Sequence, residues 1–128
     1  MAVKSKYPIR ILYIEDDKLF RNLIKSILKD KSKYIVDVAE NGIEGVRKNL
    51  NNTYDLIFMD IMMPNMDGIE TAYSIKLSTP RIPIIAVTAL DKNDILNFDD
   101  VHFPIDYHIR KPIHSNILIQ KIDEIIYN

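Results

Sequence analysis

One pattern recurs five times along the chain: a short apolar run rich in Ile, Val or Tyr, then a longer stretch whose apolar residues fall at helical spacing. Strands separated by amphipathic helices assemble as βα units around a parallel sheet. The apolar runs predict strands over residues 9–14, 34–39, 55–59, 82–87 and 105–110, each with the residue types that suit a pleated, half-buried surface. Three are almost wholly apolar, as strands covered on both faces are.

The helices predicted between them follow from periodicity and caps. Asp17 is placed to cap a first helix through Leu19, Phe20, Leu23, Ile24, Ile27 and Leu28, with Arg21, Lys25 and Lys29 on its outer face. Asn41-Gly42 opens a second through Val46 to Leu50, Gly68 to Leu77 forms a third, and residues 113–127 a fifth, with Ile117, Leu118, Ile122, Ile125 and Ile126 inward. The fourth, residues 92–100, has only Ile95, Leu96 and Phe98 as anchors among Asn and Asp, which favour turns.

The 128 residues match a single domain, expected to span 1–128. With 47% hydrophobic and 27% charged residues the chain can bury a core. Seventeen basic against eighteen acidic side chains leave a net charge of −1, which gives no field to draw the protein to nucleic acid or an anionic membrane. Without cysteine there are no disulfides, thiolate nucleophiles or Cys-ligated zinc. Apolar runs such as Ile84-Ile85-Ala86-Val87 fall far short of the about 20 residues of a bilayer span, and the stretch before Arg10 holds no apolar run long enough to be expected of a signal peptide. A cytoplasmic protein is expected.

Chemistry concentrates where strands end. Glu15, Asp16 and Asp17 follow the first strand and Asp60 the third. Open α/β sheets bind ligands outside the carboxyl ends of their strands, where strand order reverses. Carboxylates gathered there repel, and either one takes up a proton or a hard cation sits between them. All-oxygen donors favour Mg²⁺ or Mn²⁺. Read alone, acidic residues after a strand are as often helix caps, the role expected of Asp17. Thr88 and Lys111 end the fourth and fifth strands and add a hydroxyl and a fixed cation, groups that stabilise oxyanions. The Met residues at 59, 62, 63 and 66 read as adaptable packing.

The run Met59-Asp60-Ile61-Met62-Met63-Pro64-Asn65-Met66-Asp67-Gly68-Ile69-Glu70, with Ile11-Leu12-Tyr13-Ile14-Glu15-Asp16-Asp17 before it and Val87-Thr88-Ala89 and Lys111-Pro112 after it, resembles the receiver domain of two-component response regulators. The resemblance covers residues 9–126. It implies a flavodoxin-like (CheY-like) three-layer α/β/α sandwich with a five-stranded parallel sheet in order 2-1-3-4-5 and five helices. It further implies that Asp60 accepts a phosphoryl group from a sensor histidine kinase or a histidine phosphotransfer protein, that Glu15, Asp16, Asp60 and the Met62 carbonyl hold Mg²⁺ or Mn²⁺, and that Thr88 and Lys111 attend the phosphoryl group. Ala89 leaves that group room, while Met62 and Leu90 flank the approach of water. Such a domain signals through the face of its fourth helix, fifth strand and fifth helix, to a protein target or a second copy. It is not a dedicated enzyme.

Two positions depart from the pattern. The aromatic usual three residues before the lysine is replaced by His108, with Tyr107 one residue earlier on the other strand face, and Phe103-Pro104 stand where Gly-Ala is usual. An aspartyl-phosphate hydrolase would need a second Asp at position 62, and a nucleotide carrier would need a Gly-rich cradle where Glu15-Asp16-Asp17 stand. A degenerate receiver acting as a phosphorylation-independent docking module stays open, as does the choice between a stand-alone regulator and a domain of a hybrid kinase or larger regulator.

Overall fold

The computed structural model describes residues 7–62, 68–89 and 104–127. Five strands, β1 (Ile9–Ile14), β2 (Tyr34–Ala39), β3 (Leu56–Met59), β4 (Ile84–Thr88) and β5 (Tyr107–Arg110), pair in parallel as one sheet of order β2-β1-β3-β4-β5. The described helices are α1 (Lys18–Ile27), α2 (Gly42–Asn51), α3 (Gly68–Ser78) and a C-terminal helix (Ser115–Tyr127). The expected fourth helix, residues 92–100, lies outside the described residues.

Alternation along the strands divides the core between the two sheet faces. Ile9, Ile11 and Tyr13 of β1 join Phe58, Ile85, Val87 and Ile109 under Ile24 of α1 and Leu118 and Ile122 of the C-terminal helix. Leu12 and Ile14 point the other way, with Ile57, Met59 and Ile84, under Val46 of α2 and Ala72 and Ile75 of α3. Every residue of β3 and β4 is buried, which is why their sequences carry no polar alternation.

Three strands begin later than their apolar runs suggest. Asp55 stays out of β3 because its Oδ2 accepts the Arg10 N–H at 2.8 Å. Pro83 has no N–H to give the ladder, so β4 starts at Ile84 and runs on to Thr88. The Asp106 carboxylate takes the Ile84 N–H at 2.9 Å and Lys76 Nζ at 2.7 Å, and β5 begins one residue later.

Helix faces also need correction. Leu19 is 78% exposed and Leu23 38%, so the buried stripe of α1 is narrower than the sequence pattern. In the C-terminal helix, which starts at Ser115 rather than at 113, Ile117 is 47% exposed, one position off the Leu118–Ile122 stripe that packs on the sheet. Met59 is packing, as expected, but Met62 is 60% exposed and is not. Met63 and Met66 lie outside the described residues.

Candidate functional site

Parallel pairing carries on for one residue past three strand ends and fixes the backbone of the polar residues there. The Glu15 N–H donates to Ala39 O at 2.9 Å, the Asp60 N–H to Ile14 O at 3.0 Å and the Lys111 N–H to Thr88 O at 2.9 Å. These residues therefore share one rim, at the point where the chain, having placed β2 on one side of β1, crosses to β3 on the other.

Their side chains converge. Carboxylate oxygens of Glu15, Asp16 and Asp60 lie within 4.8 Å of one another, a grouping able to hold a metal ion. Lys111 Nζ is 2.6 Å from Glu15 Oε1 and 3.4 Å from Asp60 Oδ2, and it lies over the Phe20 ring, 3.8 Å from the centroid. Glu15 is fully buried, and Asp60 and Thr88 nearly so, whereas Asp16 faces solvent. Asp60 Oδ1 accepts the Met62 N–H at 3.1 Å.

Charge is not balanced evenly across this rim. Lys111 sits against Glu15 and Asp60, while the Asp16 carboxyl is pushed above its ordinary value by desolvation and by its hydrogen bond and repulsion with Glu15. An all-oxygen donor set with one open, solvent-facing carboxylate fits Mg²⁺, which keeps several waters, better than a fully enclosed ion.

Three residues to which the sequence reading gives no role at the rim organise it, and Arg21, expected on the outer face of α1, instead turns inward onto the turn after β1. Arg21, four-fifths of whose side chain and more is buried, donates through Nη1 to Glu15 O at 2.8 Å and Asp16 O at 2.9 Å, and its Nη2 is 3.7 Å from Glu40 Oε1. It clamps the turn that carries both acidic residues. Phe20 backs the lysine. The Tyr13 hydroxyl donates to Glu15 Oε1 at 2.9 Å, and burial together with Glu15 drives its pKa far upward, so it holds its proton. The signal for Tyr13 was its spacing: residues i and i+2 of a strand share a face. Asp17 caps α1 as expected, its Oδ1 accepting the Leu19 N–H at 2.9 Å.

The register of β5 places His108 opposite Ala86, on the same sheet face as Thr88, and Tyr107 opposite Ile85 on the other. Tyr107 is 40% exposed and His108 half-buried. Ala89 follows Thr88 and is exposed. Leu90 and Pro64 lie outside the described residues.

Residues 11–123 match the response regulator receiver domain family. The chain belongs to that family. Regulatory protein VanRB of Enterococcus faecalis is 34% identical over 120 residues, covering 92% of this receiver and 52% of VanRB. This receiver thus spans about half the length of VanRB and of transcriptional regulatory protein ResD of Bacillus subtilis. A two-component response regulator from Clostridium difficile superposes with a TM-score of 0.82 at 31% identity, covering 92% of this chain and 95% of its own. The receiver domain of sensor histidine kinase PA1611 from Pseudomonas aeruginosa superposes with a TM-score of 0.83 at 26% identity, over 94% and 98% of the two chains. That structure holds a magnesium ion in its active-site cleft. Among the described residues of this receiver, no helix is long and apolar enough to cross a membrane.

Proposed function

We propose that this receiver takes a phosphoryl group from a histidine kinase or a histidine phosphotransfer protein onto Asp60 in a Mg²⁺-dependent reaction. The observation that carries the reading is the meeting of Glu15, Asp16 and Asp60 within 4.8 Å, with the Lys111 ammonium 3.4 Å from Asp60. Membership of the response regulator family supports a histidine kinase as the partner.

The chain's own groups match that chemistry. An Asp60 oxygen forms a bond to phosphorus while the P–N bond of the phosphohistidine breaks and the imidazole leaves with the electron pair. This transfer is governed by positioning and charge neutralisation. The Met62 N–H, on Asp60 Oδ1, leaves the other oxygen beside Lys111 for the attack. Lys111 neutralises charge on the incoming group. Glu15, Asp16, Asp60 and the Met62 carbonyl would hold Mg²⁺, and the ion when bound supplies Lewis-acid neutralisation of the phosphoryl oxygens. Thr88, nearly buried at the end of β4, offers its hydroxyl to the phosphoryl group, and His108 on the same sheet face follows its movement. The output is the face of β5 and the C-terminal helix with the segment before β5, toward a protein target or a second copy. On this reading the chain is a phosphoacceptor and not a dedicated enzyme, and the docking-only alternative has no feature of the rim in its favour.

Incubation with acetyl phosphate and Mg²⁺ should add one phosphoryl group, detectable by intact mass, and Asp60→Asn should abolish it. Equal modification of Asp60→Asn on a carboxylate, or no modification of the wild type, overturns the reading.

A further inference from the structure

Tyr13 carries a hydroxyl that the phosphoacceptor reading leaves without a task. The residue is fully buried and its ring packs edge-on against Phe58, centroids 6.4 Å apart, surroundings that a phenylalanine would suit. Yet its hydroxyl reaches Glu15 Oε1 at 2.9 Å, the same oxygen that receives Lys111 Nζ at 2.6 Å. The remaining oxygen, Oε2, accepts the Asp17 N–H at 3.2 Å.

Lys111 is therefore held mainly by Glu15 and stands off from Asp60 at 3.4 Å. To pair with a phosphoryl group on Asp60, its ammonium must move away from Glu15. A carboxylate as deeply buried as Glu15 cannot lose its donor without a penalty, because an oxygen already out of water is left unpaired. A second donor on that oxygen removes most of this penalty.

We propose that Tyr13 is a positioning residue for phosphoryl transfer: its hydroxyl keeps Glu15 Oε1 hydrogen-bonded while Lys111 shifts its ammonium from Glu15 toward Asp60. The inference rests on the phosphoacceptor reading above. It also accounts for Glu rather than Asp at position 15. Strand alternation puts residues 13 and 15 on one face, and the extra methylene of Glu lets the carboxylate reach both the phenol and the lysine. An Asp there would fall short of the phenol.

The test is a double-mutant cycle on the rate of phosphorylation by acetyl phosphate at saturating Mg²⁺, using wild type, Tyr13→Phe, Glu15→Asp and the double variant. Tyr13→Phe should slow the reaction about fivefold, the equivalent of one hydrogen bond, with the Kd for Mg²⁺ changed less than about twofold. In the Glu15→Asp background, Tyr13→Phe should change the rate less than about twofold, since the hydroxyl no longer has its carboxylate. A packing role would cost the same in both backgrounds, and that result, or wild-type kinetics in Tyr13→Phe, overturns the proposal. Should Tyr13→Phe fail to fold, the ¹³Cζ shift of Tyr13 in the otherwise unaltered chain should move on Glu15→Asp, and an unmoved shift overturns the proposal equally. A wild type that takes up no phosphoryl group overturns the phosphoacceptor reading itself, so the two failures are distinguishable.

Discussion

Beside Asp60, Met62 uses its two ends differently: the N–H fixes Asp60 Oδ1, while the side chain stays 60% exposed. A thioether there is at most a weak acceptor and orients a water poorly. Hydrolysis of a phosphoryl-Asp60 should therefore lack a positioning group. Met62→Asn should accelerate decay of the phosphorylated state about tenfold, the equivalent of about 1.4 kcal/mol of barrier. Decay followed by intact mass after removal of acetyl phosphate measures this, and unchanged decay would remove Met62 from the water path. At this scale the sequence was legible wherever a residue follows a strand: Glu15, Asp16, Asp60, Thr88 and Lys111 could be placed on one rim because parallel strands all end on the same side. Phe20 and Arg21 could not, because each acts by how far a side chain reaches across the turn, and for Tyr13 the spacing gave the face but not the hydrogen bond.

Secondary-structure elements position that rim through tight backbone contacts. Gly68 opens α3 with its N–H on Ile61 O at 2.8 Å, and a Cβ at this position would lie 2.4 Å from both Asp60 O and Ile61 Cα. Backbone atoms on the other side leave nothing flexible to give way. Gly68→Ala should cost about 1–3 kcal/mol in denaturant unfolding and slow phosphorylation by displacing Asp60. An Ala variant of wild-type stability and rate would sink that account. At the start of α2, Asn41 Oδ1 accepts the Glu44 N–H at 2.8 Å, and Glu44 Oε2 accepts the Glu40 N–H at 3.2 Å. Burial raises the Glu44 pKa, but the Glu40 N–H and Lys48 outweigh it and the net shift is downward. A folded pKa below the unfolded one means that the stabilisation is present above the ordinary 4.5 and is lost as pH falls through the folded value. Glu44→Gln should thus be about 0.5 kcal/mol less stable than wild type at pH 7 and equal to it well below pH 4. A difference that persists in acid would assign the effect to something other than charge. The helices were legible from caps and apolar spacing, but which apolar residues of a stripe are buried was not. Leu19 and Ile117 fit the period and still face solvent, because the sheet covers a narrower arc than the pattern spans.

Across the whole molecule, a cation held by the acidic rim would couple folding to its binding. The raised Asp16 pKa means that its charged form is disfavoured in the folded state, a penalty fully present above the folded pKa and absent only below the ordinary 3.8. Mg²⁺ at a hundred times its Kd should stabilise the fold by about 2.7 kcal/mol and raise Tm by about 10 °C. Asp16→Asn should be more stable than wild type without Mg²⁺ at neutral pH and should lose most of that response. Thermal scans of the two proteins with and without Mg²⁺ measure it, and an equal response in both would exclude Asp16 from the site. The sequence by itself determined the parallel α/β architecture, the strand ends and the acidic and basic residues at them, because period, length and capping are local properties that the chain carries with it. Only the tertiary structure decided that Lys111 rests on Glu15 before Asp60, that Tyr13 holds the Glu15 carboxylate and Arg21 its backbone carbonyl, and that Met62 stays in solvent. These outcomes depend on distances between groups up to 96 residues apart, which are set by strand register and sheet order rather than by any neighbouring residues.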